Sequence, residues 1–121
     1  MTRDMELVRK ILLTIEEKSQ DPGGWVNLEI PGQTPETVSY HVMLLNEARL
    51  IEASNLSSTA GFDYRAKRLT WSGHEFLDAA RNENVWNQVK QVVKEKGGSI
   101  PFEVLKGLVM KAACALFGIG G

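Results

Sequence analysis

One cysteine, Cys114, stands in 121 residues. That excludes an internal disulfide framework and any metal site built from several thiolates, and it suits a reducing compartment. Only two histidines occur, His41 and His74, and no carboxylates accompany them at metal-ligand spacing, so no metal is expected. Long apolar runs are also missing. The most apolar stretch, residues 105–119, is broken by Lys106 and Lys111, and Asp4 and Glu6 stand where a signal peptide needs apolar residues. Neither an export nor a membrane signal is present, so a cytoplasmic setting is expected and no membrane partner. Charge of one sign is lacking too: the formal net charge is −1, which excludes a nonspecific grip on polyphosphate by the whole chain. Any nucleic-acid surface must be local. Internal repeats and low-complexity tracts are absent, and the length and 43% hydrophobic content suit one self-folding globular chain.

Helical periodicity is plain in several segments. Met5, Val8, Ile11, Leu12 and Ile15 recur at intervals of three and four, the pattern of an amphipathic helix with one buried stripe. Asp21-Pro22-Gly23-Gly24 stops it, and residues 25–30 alternate weakly, as a short strand would. Thr34-Pro35-Glu36-Thr37 opens a second helix, with Thr34 as N-cap and Pro35 at the first helical position. This helix should run to about Arg49 and bury Val38, Val42 and Leu45. Thr37, Ser39, Tyr40, Met43 and Asn46 would then form an outward, hydrogen-bonding face, with His41 at its flank.

Residues 51–56 and 64–69 read as a hairpin whose polar tip contains Gly61. Thr70 or Ser72 can cap a third helix, Trp71 and Gly73 suggest close packing at its entry, and Phe76, Leu77 and Ala80 supply its inner side. Val85, Trp86, Val89, Val92 and Val93 repeat as a fourth helix up to Gly97-Gly98. Ser99 as N-cap and Pro101 just inside open a fifth, with a broad apolar face that includes Phe102, Leu105, Leu108, Val109, Ala112, Leu116 and Phe117. The expected fold is α+β and mostly helical: a winged helix-turn-helix over residues 1–82, with a two-stranded wing, and two added C-terminal helices over 83–121 that pack on it or mediate dimerisation. Between Lys18 and Thr34 there is room for a turn and a strand but no well-patterned support helix.

The chemistry this pattern permits is recognition of double-stranded DNA. Asn can contact adenine twice, Ser and Thr can reach phosphate or base edges, and Met can meet a thymine methyl. Arg65, Lys67 and Arg68 form the one dense basic cluster, placed on the wing where sugar-phosphate would lie. Strand alternation alone puts Arg65 and Lys67 on one face and Arg68 on the other, unless a bulge intervenes. The competing reading of this cluster is an edge strand that uses cations to deter aggregation. Glu36 and Glu47 on the second helix, with no lysine there, favour instead a protein-interaction adaptor. Phe102, Leu105, Val109 and Leu116 are candidates for a homodimer or another protein interface, and a dimer would raise the effective concentration of two weak DNA modules.

Catalysis is not expected. Ser39 and His41 lie two residues apart on one helix and point in different directions, so a Ser39–His41–Asp63 system cannot assemble. Gly118-x-Gly120-Gly121 has no strand before it and no helix after it, so it is no nucleotide loop. No cofactor and no effector ligand set is visible, and Cys114, between alanines, reads as a small buried hydrophobe. The three tryptophans, Trp25, Trp71 and Trp86, most simply anchor the core, with one left for a partner surface.

Two resemblances attach to these residues. The run Thr37-Val38-Ser39-Tyr40-His41-Val42-Met43-Leu44-Leu45-Asn46-Glu47-Ala48-Arg49-Leu50-Ile51-Glu52 resembles the recognition helix and following strand of winged-helix repressors of the arsenic-sensing type, with Arg49 where those repressors carry a helix-ending glycine. The segments Arg3-Asp4-Met5-Glu6-Leu7-Val8-Arg9-Lys10-Ile11-Leu12, Arg68-Leu69-Thr70-Trp71-Ser72-Gly73-His74-Glu75-Phe76-Leu77-Asp78-Ala79-Ala80-Arg81 and Gly97-Gly98-Ser99-Ile100-Pro101-Phe102-Glu103-Val104-Leu105 are similar to the domain-of-unknown-function family twenty-five-thirteen. Its members are small proteins of bacteria and their prophages. The first resemblance implies a DNA-binding regulator; the second implies a phage or prophage context without an assigned activity.

Overall fold

Asp4, Thr34, Thr70 and Asn82 each stand immediately before a helix and satisfy free N–H groups of its first turn. In the computed structural model, which describes residues 2–21, 23–97 and 100–118, the elements run α1 (Met5–Lys18), α2 (Pro35–Glu47), β1 (Ile51–Asn55), β2 (Tyr64–Leu69), α3 (Trp71–Ala80), α4 (Glu83–Glu95) and α5 (Phe102–Leu116). The fold is α+β and mostly helical. It divides into two compact units, Met1–His74 and Glu75–Gly121, with the boundary inside α3.

In the first unit, the Asp4 carboxylate accepts the N–H groups of Glu6 and Leu7, and α1 buries Leu7, Val8, Ile11, Leu12 and Ile15. The Thr34 hydroxyl accepts the Thr37 N–H at 3.1 Å, a cap worth about 1 kcal/mol, and Pro35 opens α2 at no hydrogen-bonding cost. Val38, Val42 and Leu45 are buried as the stripe predicts, but so are Ser39 and His41. The reason is that α2 is covered on two sides, by α1 and by the β1–β2 hairpin, so its buried sector is wider than a single stripe. The end of α2 is a double-bonded C-cap: the Leu50 N–H donates to the Leu45 carbonyl and the Arg49 N–H to the Asn46 carbonyl, with Arg49 at φ 63°. Arg49 thus occupies the left-handed position that ordinarily favours glycine.

β1 and β2 pair antiparallel, with Ile51 opposite Leu69, Glu52 opposite Arg68 and Ala53 opposite Ala66. Lys67 is the surplus residue of a β-bulge. On its other edge β2 receives Val26, whose N–H donates to the Ala66 carbonyl at 2.8 Å, so the weak alternation of 25–30 becomes a single antiparallel bridge. No helix lies between Lys18 and Pro35 among the described residues. α3 is capped by Thr70, whose hydroxyl accepts the Gly73 N–H and donates to the Arg49 carbonyl at 2.6 Å. Gly73 is required here: a Cβ at this position would fall on the Leu50 carbonyl oxygen.

In the second unit, the Asn82 side chain caps α4, which packs against α5 and buries Val85, Trp86 and Val89. Leu105, Val109 and Ala113 are the buried residues of α5, and the Phe76 and Phe102 rings meet at 5.4 Å. The expected Ser99 cap lies outside the described residues; the residue before α5 is Pro101, which makes no side-chain cap bond. Of the tryptophans, only Trp86 is core. Trp25 is half-exposed and Trp71 is 80% exposed, so the close packing at the entry of α3 belongs to Gly73 alone.

Candidate functional site

The hairpin bulge governs where the basic cluster points. Ala66 and Leu69 are both buried although they are three residues apart, which an unbroken strand cannot arrange; the surplus Lys67 makes up the difference. Arg65, Lys67 and Arg68 all stay off the buried face. Each already has a neighbour. The Arg65 Nε lies 3.2 Å from the Asp63 carboxylate, and an Arg68 terminal nitrogen lies 2.6 Å from Glu52, its cross-strand partner. The Lys67 ammonium sits over the Trp25 ring, 4.6 Å from its centroid, and the Lys67 carbonyl accepts the Ser19 hydroxyl at 3.1 Å. Both ion pairs are solvent-exposed, where a pair is worth about 0–1 kcal/mol, so a competing anion can displace the carboxylates.

The helix surface expected beside this cluster is narrower than its pattern suggests. Thr37, Tyr40, Met43 and Asn46 are half-buried. Ser39 is 7% exposed, so its place on an outward face is corrected: the second side of α2 is covered as well as the first. The Asn46 side-chain carbonyl accepts the Ala53 N–H at 3.1 Å, tying α2 to β1 and leaving only its amide donors free. His41 is 1% exposed and structural, where a flank position was expected. Its Nδ1 donates to the Thr37 carbonyl at 2.8 Å and its Nε2 accepts the Asp4 N–H at 2.9 Å, which sets the tautomer with the proton on Nδ1 and fastens α1 to α2. What α2 shows to solvent most fully is Pro35, Glu36 and Glu47. The hairpin tip adds half-exposed Leu56 and Phe62, and Phe62 leans on Tyr64 with ring centroids 5.3 Å apart.

The family model described as "Hypothetical protein (DUF2513)" matches residues 2–99. The chain belongs to this family. It is also 42% identical, over 106 residues, to a protein of Haemophilus influenzae described as uncharacterized, with 88% of this chain and 90% of the relative covered. No solved structure matches.

The family match ends before α5, the helix on which a self-association surface was expected. Two of the four residues expected to form it are covered within the chain itself. Leu105 and Val109 are buried within the chain, on a helix that packs against α4, and Phe102 is half-buried against Phe76. A helix's apolar stripe does not itself say whether its cover is intramolecular or a partner. Leu116 alone of the four is well exposed, and Val104 and Phe117 are the other exposed large apolar residues of this region. No described helix is long and apolar enough to cross a membrane.

Proposed function

We propose that the first unit is a winged helix-turn-helix that binds double-stranded DNA, with α2 as the groove-facing helix and the β1–β2 hairpin as the wing. The element order α1, bridge at Val26, α2, β1, β2 and the first turn of α3 supports the fold. The observation that carries the function is the bulge at Lys67, which keeps Arg65, Lys67 and Arg68 together off the core where strand alternation would have separated them. Three cations give backbone contact, and Tyr40, Met43, Thr37 and the Asn46 amide donors give the base-facing set. The reading extends to a small cytoplasmic regulator of phage or prophage type.

The test is binding to random-sequence duplex DNA across a salt series. Binding near 50 mM salt with a log–log slope of about −3 at most fits three phosphate contacts. Absence of binding there refutes the reading. Arg65→Ala with Lys67→Ala should weaken all sequences alike, whereas Asn46→Ala should alter preference among them. A second reading, an adaptor for another protein, is favoured by the pairing of Arg65 with Asp63 and Arg68 with Glu52, and by the acidic ends of α2. It predicts no DNA binding at any salt.

A further inference from the structure

Away from the core, the β1–β2 hairpin sets two acids against two arginines. Glu52 of β1 stands opposite Arg68, Ser54 stands opposite Arg65, and Asp63 leads into β2. The bulge at Lys67 keeps Arg65 and Arg68 on one side of the ribbon, where strict alternation would place residues three apart on opposite sides. Each guanidinium has its own carboxylate: the Arg65 Nε lies 3.2 Å from Asp63, and an Arg68 terminal nitrogen lies 2.6 Å from Glu52. These four charges cancel. Over residues 51–69 only Lys67 is surplus, and its ammonium rests over the Trp25 ring.

We infer, building on the DNA-binding reading, that Asp63 and Glu52 are an autoinhibitory pair: internal anions that compete with phosphate for Arg65 and Arg68 and so hold down the hairpin's affinity for a nucleic-acid backbone. A phosphate that reaches either arginine meets a carboxylate already bonded to it. It must displace that carboxylate or share the guanidinium with a like charge a few ångströms away. Arg68 is the more fully engaged of the two, because its second terminal nitrogen donates to the Leu69 carbonyl at 3.2 Å, so a two-pronged grip on phosphate would break an existing bond. Both pairs are solvent-exposed, so the exchange can occur. The backbone of the hairpin keeps each displaced carboxylate close to the incoming anion, where it goes on repelling it.

The experiment measures binding of three full-length proteins to random-sequence duplex DNA at about 50 mM salt. They are the parent, a hairpin variant carrying Glu52→Gln with Asp63→Asn, and a control carrying Glu95→Gln with Glu103→Gln. The control residues are exposed acids of the second unit, and their removal changes the net charge by the same amount. The hairpin variant should bind at least about tenfold more tightly than the parent, and the control should stay within about threefold of it. Adding Arg65→Ala and Arg68→Ala to the hairpin variant should abolish the gain. Parent binding that the hairpin variant does not tighten overturns the inference and leaves the DNA reading standing. Equal tightening by the hairpin variant and the control overturns it too, because net charge alone would then suffice, as does a gain that survives loss of both arginines. A parent that does not bind refutes the DNA reading itself, and the inference falls with it.

Discussion

Arg49→Gly is expected to stabilise the protein, although it deletes a charged side chain and fills nothing. The Arg49 backbone sits at φ 63°, held by its own N–H bond to Asn46 and by the Leu50 N–H bond to Leu45. An L-residue in that region is disfavoured by roughly 1–2 kcal/mol, a penalty that glycine escapes. Against this, glycine loses about 0.5–1 kcal/mol more backbone entropy on folding. The difference leaves a net gain of about 0.5–1 kcal/mol, or roughly 2–5 °C in melting temperature for a chain of this size. Arg49 is exposed and α2 has no basic residue in its last turn, so little side-chain packing opposes the gain. Arg49→Ala is the control, because it removes the guanidinium and keeps the backbone penalty; it should fall within about 0.5 kcal/mol of the parent. Thermal and urea unfolding of the three proteins decide the matter. A glycine variant no more stable than the alanine variant would refute the idea that the C-cap of α2 carries backbone strain.

Gly73→Ala should destabilise by at least about 1–3 kcal/mol, because its methyl would collide with a Leu50 carbonyl that also accepts the Thr70 N–H at 2.9 Å. A urea midpoint within error of the parent would show that α3 does not approach Leu50 so closely. His41→Phe keeps a ring in place but removes both hydrogen bonds and leaves the Asp4 N–H without its acceptor, a loss of about 1–3 kcal/mol. Hydrogen exchange at Asp4 should quicken in that variant, and unchanged protection there would contradict the clamp between α1 and α2.

The caps at Thr34 and Thr70 were legible in the chain because capping is local. Thr34-Pro35 needs only its next few residues to start a helix, and residues 64–69 need only their alternation and the turn before them to read as a strand. Burial on the second side of α2 was not legible. Ser39 and His41 are covered by elements far along the chain, α1 through Asp4 and the hairpin through β2, and no window around residue 40 contains that information. Lys67 shows the intermediate case: alternation states what a bulge would change, but whether one forms depends on pairing with β1. Trp71 misled for a related reason: an indole's size argues for the interior only when a wall exists to receive it.

Lys67 is dispensable to the ladder and still useful to the molecule. Without it, Ala66, Arg68 and Leu69 would face Ala53, Glu52 and Ile51 in unbroken succession, so the hairpin would zip as well or better. What would vanish is a rivet: its carbonyl holds Ser19 at the start of the stretch leading from α1 toward α2, and its ammonium covers Trp25 near the middle of that stretch. A one-residue deletion there would therefore leave the ribbon intact and the segment held to it by the Val26–Ala66 bridge, with its Ser19 and Trp25 fastenings gone.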